Sequence, residues 1–405
     1  MTKPKVLVVG GGPAGMAAAL TAAENGADVT LLERRSRPGK KLLATGNGRC
    51  NLANRGKPVY FGDPAFASHV MAVCGTDAML KQLRRWGIEL YTDPEGRVYP
   101  AAQQASSVLS VLTARMEQRR VRLSADADVK SAILDGGRFR VTLSDGTAYT
   151  ADRLILATGG LAGGGLGNRA EDYALATGLG HHLTRLFGGL APLELDLGQL
   201  RRLSGLRVPV RVQLICDSKA LATSGGEALF TDYGLSGICV MQLARDAQIL
   251  VQQGKQPSLS MDFSPVYFPE TRAYTREPEP VRDAFQRTCS LISERMKRLG
   301  PDGALTGLIP DALAAVCPRG NAGKAAAFLT GLVLPVTGVR PMAQAQITCG
   351  GIDTREVDPD TMASRLSPRL YLTGEMLNVD GDCGGFNLQF AFATGMIAGR
   401  NAAGA

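Results

Sequence analysis

Histidine is scarce in this 405-residue chain: His69, His181 and His182 are the whole supply. That excludes a histidine-rich metal centre. The eight cysteines are scattered singly, and no CxxC pair occurs. Zinc ribbons and thioredoxin-type redox pairs are therefore excluded, and reduced thiols are the simplest expectation. No apolar run approaches the length of a membrane span. The first strand begins almost at once, so the expectation is a cytoplasmic chain with no signal peptide and no membrane partner. At 45% hydrophobic and 20% charged residues, the composition is that of a globular protein with a large core. The length allows two or three domains.

What is present is a dense N-terminal pattern. The run VLVVGGGPAGMAAAL places Gly10, Gly12 and Gly15 as GxGxxG after an apolar strand. An Ala-rich helix follows, then a second apolar run, VTLLE, ending in Glu33. Gly10 permits the tight turn, Gly12 lets backbone N–H groups approach a pyrophosphate, and Gly15 lets helix and strand pack closely. Pro13 and Ala14 open the helix, whose unpaired N–H groups attract an anion. Glu33 falls where an acid accepts ribose hydroxyls, with Arg34 beside it.

Two further glycine motifs follow apolar strands: Ala157, Thr158 and Gly159, then Gly374 and Glu375. The segment DGDCGGFNLQ carries Gly384, Gly385, Phe386, Asn387 and Leu388 into a final helix. Three such motifs in this order imply FAD, with Glu375 toward the ribityl chain or diphosphate. The final helix N-terminus then faces the flavin N1/O2 edge. No second GxGxxG follows a strand, so NAD(P)H is expected only as a transient co-substrate.

The net charge of +8 is uneven. Residues 34–62 hold eight cations and no acid: Arg34, Arg35, Arg37, Lys40, Lys41, Arg49, Arg55 and Lys57. A solvated loop with cofactor contacts explains this; an anionic substrate such as RNA explains it too. Residues 75–90 and 105–120 read as helices. The stretch RVPVRVQLIC alternates, placing Val208, Val210, Val212 and Leu214 on one face. Residues 226–231 and 258–263 read as strands, and 280–300 as an amphipathic helix. The expected architecture is α/β. A discontinuous nucleotide domain spans 1–187 and 335–405, a β-rich insert 188–275, and a helical appendage 276–334.

The segments KKLLATGNGRCNLAN, LILATGG, EALFTDYGLSG, AQITCGGID and LYLTGEMLNVDGDCGGFNLQFAFATG resemble the BaiN/RdsA family of FAD-dependent oxidoreductases, also labelled aminoacetone-oxidase-like. The resemblance spans nearly the whole chain. It implies a glutathione-reductase-like (Rossmann-type) FAD domain with an inserted β-barrel and a small helical domain. It implies reduction of a conjugated C=C in a bile-acid enone, dihydrouridine synthesis in 23S ribosomal RNA, or amine oxidation. Carried over, Lys41, Asn47, Gly48, Arg49, Cys50 and Asn51 line the diphosphate-to-isoalloxazine side, and Val129 touches the adenine through its backbone. Phe386, Asn378, Phe390 and Ile238 depart from the family's usual tyrosine, aspartate, tryptophan and proline. Ene reduction also needs a proton, from a thiol, a phenol or water; Cys383, Cys50 and Tyr233 are the candidate side chains. His181 reads as structural. The basic balance favours uracil in ribosomal RNA over a steroid enone.

Overall fold

The computed structural model describes residues 3–166, 169–271 and 283–404. The chain divides into two compact units, one of residues 1–187 with 347–405, the other of residues 188–346.

The first unit is built on a five-stranded parallel sheet. Its order is Leu370–Leu372, Arg153–Leu156, Lys5–Val9, Asp28–Leu32, Arg122–Ser124. The central strands read as apolar runs because helices cover both faces of such a sheet. Val6, Leu7, Val8 and Leu31 are almost fully buried. Three antiparallel strands, Val129–Asp135, Arg138–Leu143 and Ala148–Ala151, form the meander that leads back into Arg153–Leu156. Ahead of the meander, Arg122–Ser124 pairs in parallel with Asp28–Leu32 at the sheet edge.

The first helix, Pro13–Glu24, crosses the last, Phe386–Ala403, at very close range. A methyl group on Gly395 would lie 2.2 Å from the Ala14 carbonyl oxygen, and one on Gly399 would lie 2.3 Å from that of Ala18. Alanines on one helix and glycines four apart on the other bring the two backbones together. This packing fixes the start of the last helix relative to the glycine-rich turn.

The expected helices at 75–90 and 105–120 form as Thr76–Trp86 and Ala105–Gln118. Leu80, Leu83 and Ile88 are buried, as their spacing predicts. Gly87, at φ +104, ends the first of these helices in the left-handed conformation that glycine adopts without strain.

The second unit is a closed six-stranded barrel. Its order is Leu193–Leu195, Gly234–Ser236, Lys219–Phe230, Arg207–Cys216, Ser258–Asp262, Leu332–Val339. Val208, Val210, Val212 and Leu214 point inward and are at most 1% exposed. Residues 335–346, read from the sequence as the start of the returning tail, lie in this unit. The reason is pairing: Leu332–Val339 bonds to Ser258–Asp262 and to Leu193–Leu195, and without it the barrel would keep two open edges. The helices Ala284–Gly303, Asp311–Val316 and Ala322–Gly331 are thus an excursion between two barrel strands. The boundary expected at 275/276 lies outside the described residues, as does the start of the helix expected at 280–300.

Candidate functional site

The strand Lys5–Val9 runs into a turn whose glycines have different tasks. At Gly10, φ is +105, and a Cβ would lie 2.4 Å from the Ala157 carbonyl oxygen. At Gly15 a Cβ would lie 1.8 Å from the Gly10 carbonyl oxygen. Both positions are closed by the protein itself. Gly12 is the opposite case: a Cβ there would meet nothing within 4 Å. It sits at the N-cap of the first helix, with Pro13 pre-set for the first turn and Ala14 buried behind it. Open space in front of free helical N–H groups suits a phosphate.

Glu33 follows the second strand. Its carboxylate accepts the Gly11 N–H at 2.8 Å and the Arg35 N–H at 2.7 Å. The Glu33 carbonyl accepts the Ala127 N–H at 2.9 Å, which brings the start of the meander strand at Val129 close to it. Arg34 faces Asp172 at 3.6 Å.

The second and third motifs meet the first. The Thr373 N–H donates to the Leu156 carbonyl at 3.0 Å, and the Gly374 N–H to Thr394 Oγ1 at 3.0 Å. A Cβ on Gly374, where φ is +73, would press on Ala14 at 2.9 Å. Gly159 is also left-handed. The Thr158 hydroxyl is buried and has no hydrogen-bond partner. Glu375 accepts Lys41 Nζ at 2.7 Å and the Thr348 N–H at 2.9 Å, so its carboxylate is engaged by protein groups. A Cβ on Gly160 would lie 2.9 Å from Glu375 Cδ, so this pair packs under the second glycine turn.

The loop of residues 45–54 adjoins the last helix. Gly46, Asn47, Gly48 and Cys50 all have positive φ, at 57°, 54°, 82° and 61°. Between them Arg49 is exposed, its guanidinium 4.9 Å from the Tyr99 ring centre. Asn51 Oδ1 is buried without a hydrogen-bond partner, and lies 2.6 Å from where a Gly385 Cβ would be. Gly384 and Gly385, at φ +128 and +109, carry the chain past that point. Asn387 turns inward instead: it accepts the Gly381 N–H at 2.8 Å and donates to the Gly381 carbonyl at 2.7 Å, clamping the preceding loop. Phe386 is buried against Tyr60, ring centres 6.1 Å apart, and Leu388 packs half-buried on the core.

The three sequence candidates for a proton donor part company. Cys50 is fully buried, and burial pushes its thiol up to about 12. It anchors the loop from below and presents no surface to a substrate. Cys383 is half-buried; burial first, then the neighbouring Asp382, pushes its thiol up to about 11. Tyr233 belongs to the second unit, where the Arg340 guanidinium lies 4.4 Å from its ring centre.

Residue-level reading of the sequence missed Gln389. Its amide oxygen accepts the Asn54 N–H at 3.0 Å, its amide nitrogen donates to Thr76 Oγ1 at 2.9 Å, and it is fully buried. The signal was there: a single glutamine in the otherwise apolar run LQFAFATG has to find partners inside. Tyr99, which carries Arg49, gave no comparable signal. Among the described residues no group of three His, Cys, Asp or Glu could hold a metal ion, and no helix is long and apolar enough to cross a membrane.

This arrangement fits a dinucleotide. The open face at Gly12, the unpartnered Thr158 hydroxyl and the unpartnered Asn51 oxygen lie in the motifs expected to contact one. Residues 4–401 match the model of the HI0933-like protein Rossmann domain. The 3-dehydro-bile acid delta(4,6)-reductase of Clostridium scindens is 34% identical, covering 98% of this chain and 99% of that protein. The ribosomal RNA dihydrouridine synthase of Escherichia coli is 28% identical over 97% of this chain and 96% of its own length. Among solved structures, the 3-ketosteroid delta1-dehydrogenase of Sterolibacterium denitrificans shares the fold, with a TM-score of 0.52 at 12% identity, covering 98% of this chain and 99% of that one. The chain has a Rossmann-type FAD-binding fold, is an oxidoreductase by class, and belongs to the HI0933-like family.

Proposed function

We propose that this chain is an FAD-dependent reductase of a carbon–carbon double bond conjugated to a carbonyl group. The observation that carries this reading is the meeting of three glycine motifs around an open Gly12, with two buried polar atoms left unpartnered. Two full-length relatives support the reaction class. One is named for reducing delta(4,6) bonds of a bile acid, the other for making dihydrouridine, which is uridine with one C=C saturated.

In this reading the first-helix N–H groups beside Gly12 hold the diphosphate, Glu33 the adenosine ribose, and the Val129 backbone the adenine. Thr158, Gly159, Asn51 and the start of the last helix border the isoalloxazine. Bound and reduced, FAD supplies a hydride to the electron-poor carbon of the double bond. NAD(P)H, docking transiently, is the electron source. Cys383 keeps its proton at neutral pH and stands as the proton donor; a cytoplasmic location accords with it and the other free thiols.

Uridine in 23S ribosomal RNA is the first substrate reading. Exposed Arg49 lies on the loop that borders the redox side and exposed Arg55 and Lys57 just after it, with no acid within residues 34–62. Acids elsewhere answer part of that charge, at Arg34, Lys41 and Arg55. A small cyclic enone is the second reading, favoured by the 34% identity to the bile-acid enzyme. Nucleoside mass spectrometry of large-subunit ribosomal RNA from a strain lacking the gene tests them. Loss of dihydrouridine, restored by the gene but not by its Gly12→Glu version, supports the RNA reading. An unchanged level overturns it and leaves the enone, tested by turnover of a 3-oxo-4,6-diene steroid.

A further inference from the structure

Arg49 differs in its surroundings from three other cations of residues 34–62. Lys41, Arg34 and Arg55 each face a carboxylate. Arg49 rests instead on the face of Tyr99, 4.9 Å from the ring centre. A ring face holds a guanidinium in place without cancelling its charge or occupying its in-plane N–H donors. The ring itself is well fixed, because Tyr99 is buried.

The backbone under Arg49 is fixed as well. The Arg49 N–H donates to the Gly46 carbonyl at 3.1 Å and the Cys50 N–H to the Thr45 carbonyl at 3.0 Å. Cys50 is fully buried, and the Leu52 N–H is bonded to the Val98 carbonyl at 2.7 Å. Asn47 and Cys50 both hold left-handed conformations; asparagine adopts this one readily, but a cysteine keeps it only where its surroundings enforce it. A tight, strained loop therefore presents one exposed, charged, oriented guanidinium.

We propose that Arg49 is the oxyanion receptor of the reaction, a catalytic residue that binds the substrate carbonyl oxygen. This rests on the reductase reading above. Hydride from the reduced flavin adds to the β-carbon, and the π pair of the double bond moves so that the carbonyl oxygen becomes an enolate oxygen. The Arg49 N–H groups bind that O⁻. A proton then reaches the α-carbon, and the enolate returns to a carbonyl. One hydride, which carries both electrons from the reduced flavin, and one proton saturate the bond, and no other co-reactant is needed. A donor set that strengthens its hold as charge develops lowers the barrier. Tyr99 is the positioning residue, acting through Arg49.

The test uses the FAD-loaded protein and p-cyanophenol, whose phenolate mimics an enolate. Binding is measured by calorimetry at pH values above and below the phenol's own pKa. The phenolate binds the wild type, and Arg49→Gln weakens it by about ten- to a hundredfold, the range for a hydrogen bond to a charged group. The neutral phenol loses much less, and the FAD content of the variant, read by absorbance, is unchanged. Tyr99→Leu weakens phenolate binding in the same direction, and Tyr99→Phe, which restores the ring, recovers it. Equal phenolate affinity in wild type and Arg49→Gln overturns the proposal while leaving the reductase reading standing. Loss of FAD from Arg49→Gln with unchanged phenolate binding also overturns it and makes Arg49 a cofactor contact. A wild type that binds neither phenolate nor enone, and whose flavin is reduced by an amine, overturns both.

Discussion

Glu33 Oε2 and the Gly11 N–H are 2.8 Å apart, so the acid that ends the second strand also braces the turn that ends the first. The two parts expected to grip the adenosine half are therefore one mechanical unit. Removing the carboxylate takes away a ribose acceptor and frees the turn. Glu33→Ala is expected to lower FAD affinity by more than tenfold, since charge-assisted hydrogen bonds are about twice as strong as neutral ones. Fluorescence titration of the apoprotein with FAD checks it.

Gly12 and Gly15 separate binding from folding. A methyl on Gly12 meets nothing within 4 Å, whereas one on Gly15 would overlap the Gly10 carbonyl at 1.8 Å. Gly12→Ala is expected to unfold at the temperature of the wild-type apoprotein but to purify with little FAD. Gly15→Ala is expected to lose the fold. Thermal unfolding without cofactor, together with flavin content, distinguishes the two outcomes.

These glycines also show what was legible in the sequence. Positions fixed by local geometry could be read, because a turn after a buried strand leaves few choices. The alternation in Arg207–Cys216 was equally plain, since period two on a barrel wall is a local pattern. The role of Leu332–Val339 was not, because closing a barrel depends on partners more than 70 residues away in the chain. The side-chain partner of Asn387 was not legible either. Its residue type suits a pocket, but the nearby Gly381 peptide offers it both a donor and an acceptor. Tyr99 was invisible because its ring serves a residue 50 positions earlier.

The Lys41–Glu375 pair predicts an asymmetric response. Both side chains are partly exposed, at 30% and 22%, so their coupling is about 1 kcal/mol or less. Lys41→Met leaves the Glu375 carboxylate without its counter-charge near an anionic dinucleotide, and FAD affinity is expected to fall about fivefold. Glu375→Gln is expected to leave affinity unchanged or slightly raised. The double variant should recover most of the loss. A double-mutant cycle on FAD dissociation constants measures this, and strict additivity would refute the coupling.

His181 makes the stability of the first unit sensitive to acid. Its side chain is fully buried, with Nε2 2.8 Å from Ser364 Oγ and Nδ1 3.1 Å from Glu356 Oε2. Ser364 Oγ also accepts the Leu366 and Ser367 N–H groups, so the hydroxyl has its own proton to give to the imidazole. Burial holds His181 below its ordinary 6.5, against the pull of Glu356. Burial acts to raise Glu356, but bonds from His182 and the charge of both histidines hold it below 4.5. Below about pH 6.5 the unfolded chain takes up a proton at His181 that the folded chain refuses, so stability falls as pH falls. The Glu356 contribution is lost lower still, as pH drops through its folded value. Melting temperature is expected to decline from pH 7 to pH 5, and His181→Gln to flatten the upper part of that slope.

The crossing of the first and last helices sets how far the site can be altered from behind. Gly395 and Gly399 face the carbonyl oxygens of Ala14 and Ala18 at distances no side chain tolerates. Backbone, unlike a flexible side-chain end, cannot step aside without moving the helix. Gly395→Ala and Gly399→Ala are each expected to cost about 1–3 kcal/mol, the range for overpacking a core. The control is Gly331→Ala in the second unit, at the end of the helix Ala322–Gly331, where an added methyl meets nothing. Higher helix propensity makes that change neutral or stabilising by up to about 1 kcal/mol. If denaturant unfolding gave all three variants the same stability, the close crossing would not be holding the last helix against the glycine turn. In that case Gly395→Ala should also keep FAD as tightly as the wild type, whereas a crossing that fixes both elements predicts weaker retention.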